Sequence, residues 1–534
     1  MQLYYIISLL GLTAVALAQS NDNPCKYSIL LTLILSPLRH IPGSKTFALT
    51  KWRLGYEEYH GGRTRCVNRL HKRYGAVVRI GPSEVSFSSL SAQEKIYGPG
   101  SAFQKDRFYQ VFDSYGRKVL ASFPGRTDHN KRKRRLSKAY TKTAIMSPNN
   151  TDLIECNVRQ FLKFIDNHTR SDHPIEIFSA LLYFTLDSTS QFLYGSTSPA
   201  RTAAMHGVPG HRQIVDDILS PSRRELLWLK MFLPNLSRWM LSPINPLRCV
   251  IGWSGILPPA TATSTGTGIR KHNAQLIRHL KHPDAHSTRD SLVAQLLAQT
   301  KVTDSTSPPL DIMDITAECS DQLLAGTEVT STALLWIIYH LSKPGNRIYQ
   351  DKLRRTIQVL EPASSGGFIT PATAGELQYL HAVITESLRL NPPSPGSQPR
   401  WSTNDEVIDG YVIPPGTVVS ISPYTLHHQP LVFENPLRFD PERWLGDPSR
   451  VAEMERWFWP FSSGARMCLG MNLAVAEMKT LLANVYRVYR TVLPSGCGDV
   501  SPAMTHRGDV YHDEQCSRVQ VHQCWVRFVR DDVV

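Results

Sequence analysis

No C-x-x-C pair occurs among the nine cysteines, at positions 25, 66, 156, 249, 319, 468, 497, 516 and 524, so the usual opening of a cysteine-ligated zinc site is missing. Their odd number and wide scatter also argue against a disulfide-stapled secreted fold, and suit buried thiols in a reducing compartment. Low complexity is equally scarce. Apart from the loop-like stretch 259–268, PATATSTGTG, there is no linker and no internal repeat, so one large body is the simplest account of 534 residues. At 42% hydrophobic and 19% charged residues the composition is not that of a disordered chain.

Charge is absent from the first eighteen residues, MQLYYIISLLGLTAVALA, and again from Tyr27 to Leu38. Two readings stand open: a cleaved signal peptide, for which Ala16-Leu17-Ala18 offers a small-residue site, and a retained anchor. A single helix needs about 20 apolar residues to span a bilayer, which the first run nearly reaches. We expect an anchor and hinge over 1–38, a transmembrane helix among them, and a catalytic domain over 39–534. The basic residues lie C-terminal to the first run, at Lys26, and to both runs, at Arg39, Lys45, Lys51 and Arg53, and would place that domain in the cytosol. Pro37 and Ile41-Pro42-Gly43 then turn the chain away from the membrane.

The formal charge of +14 points to an acidic partner. Its densest run, Lys131 to Arg135, reads as a solvated helix face or as a nucleic-acid patch; no other nucleic-acid signature supports the second, and we expect no such partner. Helical periodicity dominates, notably over Asp311–Leu341, Leu377–Leu390 and Met471–Tyr489. Strand signals are short, at Val77–Ile80, Gly410–Ile413, Val418–Ile421 and Cys524–Val529. The fold class expected is mainly α with a small β-sheet subdomain. His427-His428 reads as a strand pair facing opposite sides, without further ligands at metal spacing.

The most specific chemistry lies in Phe461-Ser-Ser-Gly464-Ala-Arg466-Met-Cys468-Leu-Gly470, just before a helix. Gly464 and Gly470 permit tight turns and close approach of a flat ligand, and Phe461 offers an apolar cover. A thiol at a helix N-terminus has its pKa lowered, favouring the thiolate that a soft metal requires. The segment matches F-x-x-G-x-R-x-C-x-G at every fixed position, a chance event on the order of 10⁻⁴ for five positions in such a chain. It resembles the heme-binding loop of the cytochrome P450 family.

That resemblance implies the cytochrome P450 fold, heme b (iron protoporphyrin IX), and Cys468 as the metal ligand, whose thiolate pushes electron density onto the iron. Glu386-Ser-Leu-Arg389 and Pro441-Glu442-Arg443-Trp444 match the family's E-x-x-R and P-E-R-F segments, implying a structural triad of Glu386, Arg389 and Arg443. Ala325-Gly326-Thr327-Glu328-Val329-Thr330 is similar to the distal helix, with Glu328 feeding protons. Val329 departs from the usual hydroxyl residue, leaving Thr330, Thr327, a substrate hydroxyl or water to supply the donor. Asp128 to Tyr140 resembles the helix that reads the heme propionates, which assigns His129 and Lys133 to the cofactor, with Arg134 as an alternative to Lys133. Arg400, after the proline-rich turn, and Arg466 join them.

The similarity extends from Ser36 to Phe528, and its general pattern is similar to fungal microsomal members that tailor natural products. It implies an endoplasmic reticulum membrane protein with its catalytic domain facing the cytosol, inserting one atom of O2 into a small apolar substrate, a terpenoid or polyketide intermediate of secondary metabolism. No flavin or nicotinamide fingerprint is visible, so electrons would come from NADPH-cytochrome P450 reductase. The rivals are a reductase-independent heme-thiolate peroxygenase or isomerase, and a non-catalytic heme or lipid binder.

Overall fold

The structure, a computed structural model of the chain, describes residues 33, 35–169, 173–241, 268–281, 291–300, 310–360, 367–506 and 509–530. The apolar runs up to residue 32, with the anchor expected there, and the loop-like 259–267 stretch lie outside the described residues. Among the described residues no helix is long and apolar enough to cross a membrane. Leu38 and Ile41 of the expected hinge are buried against the sheet, so the hinge packs onto the body. The seven described cysteines are all free thiols.

Helices dominate. In chain order the elements that build the site are α1 (Arg63–Tyr74), β1 (Val77–Gly81), β2 (Glu84–Phe87), β3 (Gln104–Lys105), α2 (Arg126–Ser137), α3 (Pro148–Thr169), α4 (Ile177–Tyr194), α5 (Ile312–Ser342), α6 (Arg347–Gln358), α7 (Gln378–Leu390), β4 (Arg400–Trp401), β5 (Val418–Ile421), α8 (Met471–Val488), β6 (Tyr489–Val492) and β7 (Trp525–Arg530). The three long helices fall within one or two residues of the periodicity, and the expected strands reappear as β1, Tyr411–Ile413, β5 and β7.

The spine is α5. Asp311 and Asp314 close a capping box at its start, and Lys343-Pro344 ends it. At 1.5 Å per residue its 31 residues run about 46 Å. Beyond Thr330 it is buried on every face, as expected for a helix packed on several sides against α4, α7 and α8. Between Leu324 and Val329 that burial lapses except at Thr327, and Ala325, Gly326 and Val329 face a cavity.

The largest sheet has the order β1-β2-β5-β4-β3, with β2 and β5 parallel and the other pairs antiparallel. Its last ladder sets Lys105 of β3 directly opposite Arg400 of β4.

A buried carboxylate ties α7 to the loop that precedes the cysteine segment. Glu386 meets the Arg389 guanidinium twice at 2.8 Å, and Arg443 Nε at 3.1 Å. The Asp440 N–H and the Trp444 indole N–H also donate to it, both at 2.9 Å. Three-residue spacing puts the pair on one helix face, as the sequence implies. The histidine pair is not in a strand. His427 closes a short helix, Pro423–His427, and both rings are buried, each with Nδ1 against a backbone carbonyl.

Candidate active site: a thiol, a ring of cations and a cavity

Gly464 begins the turn that aims the cysteine. Its φ of +63° is a left-handed conformation, and a Cβ there would collide with the Tyr97 carbonyl and lie 2.9 Å from the Gly98 carbonyl carbon. Gly470 differs from expectation: its φ is an ordinary −82°, and nothing would obstruct a side chain on the backbone side. What its missing side chain provides is an open stretch of cavity wall. Cys468 N–H donates to Phe461 O at 2.8 Å, closing the loop just before α8.

The Cys468 thiol is exposed, but onto a cavity of about 340 Å³. Burial raises its pKa above the ordinary thiol range, opposed by the Gly470 N–H, the Lys133 ammonium and the Met471 N–H. The helix N-terminus therefore acts in the expected direction and is outweighed by burial. A bound cation would reverse that balance, because metal coordination requires the thiolate.

Across the cavity lies α5. Ala325, Gly326, Val329 and Thr330 all line it, as do Phe461, Arg466, His129 and Lys133. Gly326 is also a packing necessity, since a Cβ there would sit 2.8 Å from the Thr189 side chain of α4. Glu328 is half-buried and does not contribute to this wall. Thr327 is buried outside it, its hydroxyl donating to Leu323 O at 2.7 Å. Thr330 does line the wall, and its hydroxyl has no hydrogen-bond partner among the described residues. Of the protein donors left open by Val329, Thr330 is the one whose hydroxyl is placed at the cavity.

Cations gather at one end. Arg466 lines both this cavity and an adjoining one that it shares with Arg400. Arg466 donates to Phe123 O at 2.9 Å and Pro124 O at 2.6 Å; burial, then the neighbouring Arg400, pull its pKa down to about 10. Arg400 donates to the Tyr109 hydroxyl at 2.8 Å. Lys105, which the sequence did not single out, is buried here with Nζ on Ala121 O at 2.6 Å. Burial, Arg400 and Arg466 hold its pKa well below the usual lysine range. His129 is neutral at physiological pH, its pKa pushed to about 3 by burial and by the Arg466 and Lys105 charges.

Lys133 donates to Ala465 O at 2.9 Å and Met467 O at 3.2 Å, so it braces the cysteine loop as well as reaching the cavity. Arg134 is exposed and lines neither cavity, which removes it as a substitute. Two other residues escaped the sequence reading. Arg132 is buried and paired at 2.9 Å with Glu318 of α5, whose carboxylate also accepts from Leu120 N–H and Gln322. Glu477 of α8 lines the cavity floor, accepts from the Ser188 hydroxyl, and has its pKa raised to about 7 by burial. A lone acid on the apolar face of α8 was the available signal.

The set has a chemical signature. Lys105, Arg400 and Arg466 are like charges brought together by sheet register and burial, and none forms an ion pair among the described residues. Directly opposed like charges are destabilising, more so away from water. A dianionic ligand with an apolar body and a soft-metal centre would satisfy these cations, the apolar walls and Cys468 together. Iron protoporphyrin fits that description.

Comparison with known proteins agrees. The cytochrome P450 family model matches residues 259–507, the part of the chain containing α5, α7, the Glu386 triad and the cysteine loop. Over those residues the chain is similar to the cytochrome P450 family. It is similar to tryptophan 6-hydroxylase fscE of Fusarium equiseti, at 28% identity over 463 residues covering 86% of both chains. Cytochrome P450 monooxygenase aflV of Aspergillus parasiticus is 28% identical over 469 residues, again 86% of both. Cytochrome P450 monooxygenase atnE of Emericella nidulans is 28% identical over 486 residues, 87% of this chain and 88% of its own. These similarities support an oxidoreductase of the monooxygenase type.

Proposed function

We propose that this protein binds heme b through Cys468 and inserts one atom of O2 into a small, largely apolar intermediate of secondary metabolism, of terpenoid or polyketide type. The observation that carries the reading is the shared cavity: a thiol faces a stretch of small residues on α5, with unpaired cations at one end. The cofactor would supply reductive activation of dioxygen. Arg466, Arg400 and Lys105 would neutralise its carboxylates, His129 would donate one neutral N–H, and Lys133 would hold the Ala465 and Met467 carbonyls. Phe461 covers the thiol side. Ala325 and Gly326 leave room on the opposite side, and the apolar wall excludes water. Thr330 would hold a proton at its hydroxyl beside Val329. Glu328, off the wall, would act only through intervening water.

Electrons would come from NADPH-cytochrome P450 reductase, docking on the exposed Arg134 and Lys138 of the α2 region. We place residues 1–38 as a membrane anchor and hinge at the endoplasmic reticulum and 39–534 as the catalytic domain on the cytosolic side. A reductase-independent reaction is favoured by one observation, Val329 in the cavity wall; turnover that strictly requires NADPH and reductase would exclude it. The central test is the carbon monoxide difference spectrum of the reduced protein beside Cys468→Ser. A strongly red-shifted Soret band, absent in the variant, is expected. A band typical of histidine ligation, or no heme, would refute the assignment.

A further inference from the structure

Four acids lie on α5: Asp314, Glu318, Asp321 and Glu328. Asp314 belongs to the cap, Glu318 is locked to Arg132, and Glu328 lies off the cavity wall. Asp321 is different. It lines the cavity four residues before Ala325, hence on the same helix face and about 6 Å further along. It has no hydrogen-bond or ion-pair partner among the described residues. Leu120, Ala121 and Gln322 line the same cavity, and the Gln322 amide is already engaged with Tyr140 and Glu318.

A buried carboxyl without a hydrogen-bond partner costs free energy unless a ligand completes it. We propose that Asp321 recognises a cationic nitrogen on an otherwise apolar substrate, holding that nitrogen about one helical turn from the Ala325–Gly326 face where oxidation occurs. The inference rests on the heme-thiolate reading and names the substrate class of that site. Three charged groups face Asp321. Glu318 and Glu328 disfavour its ionised form, and Lys105 favours it without reaching ion-pair distance. Lys105 is committed to the Ala121 carbonyl and the cation cluster, so it leaves the carboxyl available.

Burial and Glu318 raise the Asp321 pKa to about 8. Without a cationic partner it is mostly a neutral acid at pH 7, and a cation would bind its ionised form. Affinity for such a ligand should therefore climb about tenfold per pH unit below about 8 and level off above it.

The test uses the heme-loaded full chain and two isosteric probes: 3-(2-trimethylammonioethyl)indole, whose quaternary nitrogen cannot ligate iron, and 3-(3,3-dimethylbutyl)indole, its uncharged carbon analogue. Soret titration and calorimetry at pH 8 should show the ammonium compound binding at least tenfold more tightly. Asp321→Asn should reduce that preference below twofold. Equal affinities in the wild type, no binding of either probe, or a preference that survives Asp321→Asn would overturn the proposal. The wild-type comparison and its pH dependence need no variant. The reduced carbon monoxide spectrum of the same preparation separates the two readings: its loss would sink the heme assignment, whereas an intact band with no ammonium preference would sink only this one.

Discussion

Replacing Glu386 by glutamine should destabilise the enzyme by about 3–5 kcal/mol, the range for breaking a buried ion pair from one side. The size follows from its partners. Glu386 and Arg389 are fully buried, and every group that touches the carboxylate is a donor: Arg389 from two nitrogens, Arg443, the Asp440 N–H and the Trp444 indole. A glutamine NH2 would face either Arg389 Nε and Trp444, or Arg389 Nη2, Arg443 and Asp440, so neither orientation avoids donors meeting donors. Burial alone would raise the Glu386 pKa, yet Arg389 and Arg443 outweigh it and hold it below the ordinary value of 4.5. A depressed acid contributes stability that is present above its unfolded pKa and lost as pH falls through the folded one. Guanidinium unfolding of the ferric enzyme at pH 7 and below 4.5, followed by tryptophan fluorescence, measures both effects. A Glu386→Gln variant within about 1 kcal/mol of wild type, with an unchanged acid limb, would refute this account.

Three further changes have defined outcomes. Gly464→Ala combines the cost of a positive φ, roughly 1–2 kcal/mol, with a backbone collision at Tyr97 and Gly98; heme content after purification should fall sharply, and an unchanged content would contradict the turn argument. Lys105→Met should act with opposite signs in two states, stabilising the heme-free chain by removing a charge crowded by Arg400 and Arg466, and speeding heme loss to an acceptor apoprotein in the loaded one. Because the Lys105 pKa is lowered on folding, the heme-free wild type should gain stability as pH rises toward 10, and the variant should lose that dependence. Val329→Thr would restore a hydroxyl to the distal wall, and product formed per NADPH consumed should rise; an unchanged ratio would mean that Thr330 or substrate already serves.

What could be read from the sequence depended on how local the physics is. The helix over Leu377–Leu390 appears as Gln378–Leu390, because apolar spacing and backbone hydrogen bonding both act within a few residues. The cysteine loop was readable for the same reason: Gly464, Arg466, Cys468 and the helix that follows form one contiguous device. The histidine pair was misread as strand because the preceding strand signal at Val418–Ile421 outweighed a Ser422-Pro423 helix start, in which the Ser422 hydroxyl caps Thr425 N–H.

The charges whose meaning is tertiary stayed hidden. Within Lys131–Arg135 the sequence shows five cations and no sign of which is buried; the structure sends Arg132 inward to Glu318, Lys133 to the cysteine loop and Arg134 to solvent. Lys105 acquires a role only because the β3–β4 ladder sets it opposite Arg400, a pairing between segments far apart in the chain. Asp321 follows the same logic. On a helical wheel it is one more acid of α5; in the folded chain it is the α5 acid left in the cavity wall without a partner among the described residues. The reaction is thus encoded in a short contiguous motif that any substrate would tolerate, whereas selection among substrates rests on which charges the assembled fold leaves uncompensated, and at which end of the cavity.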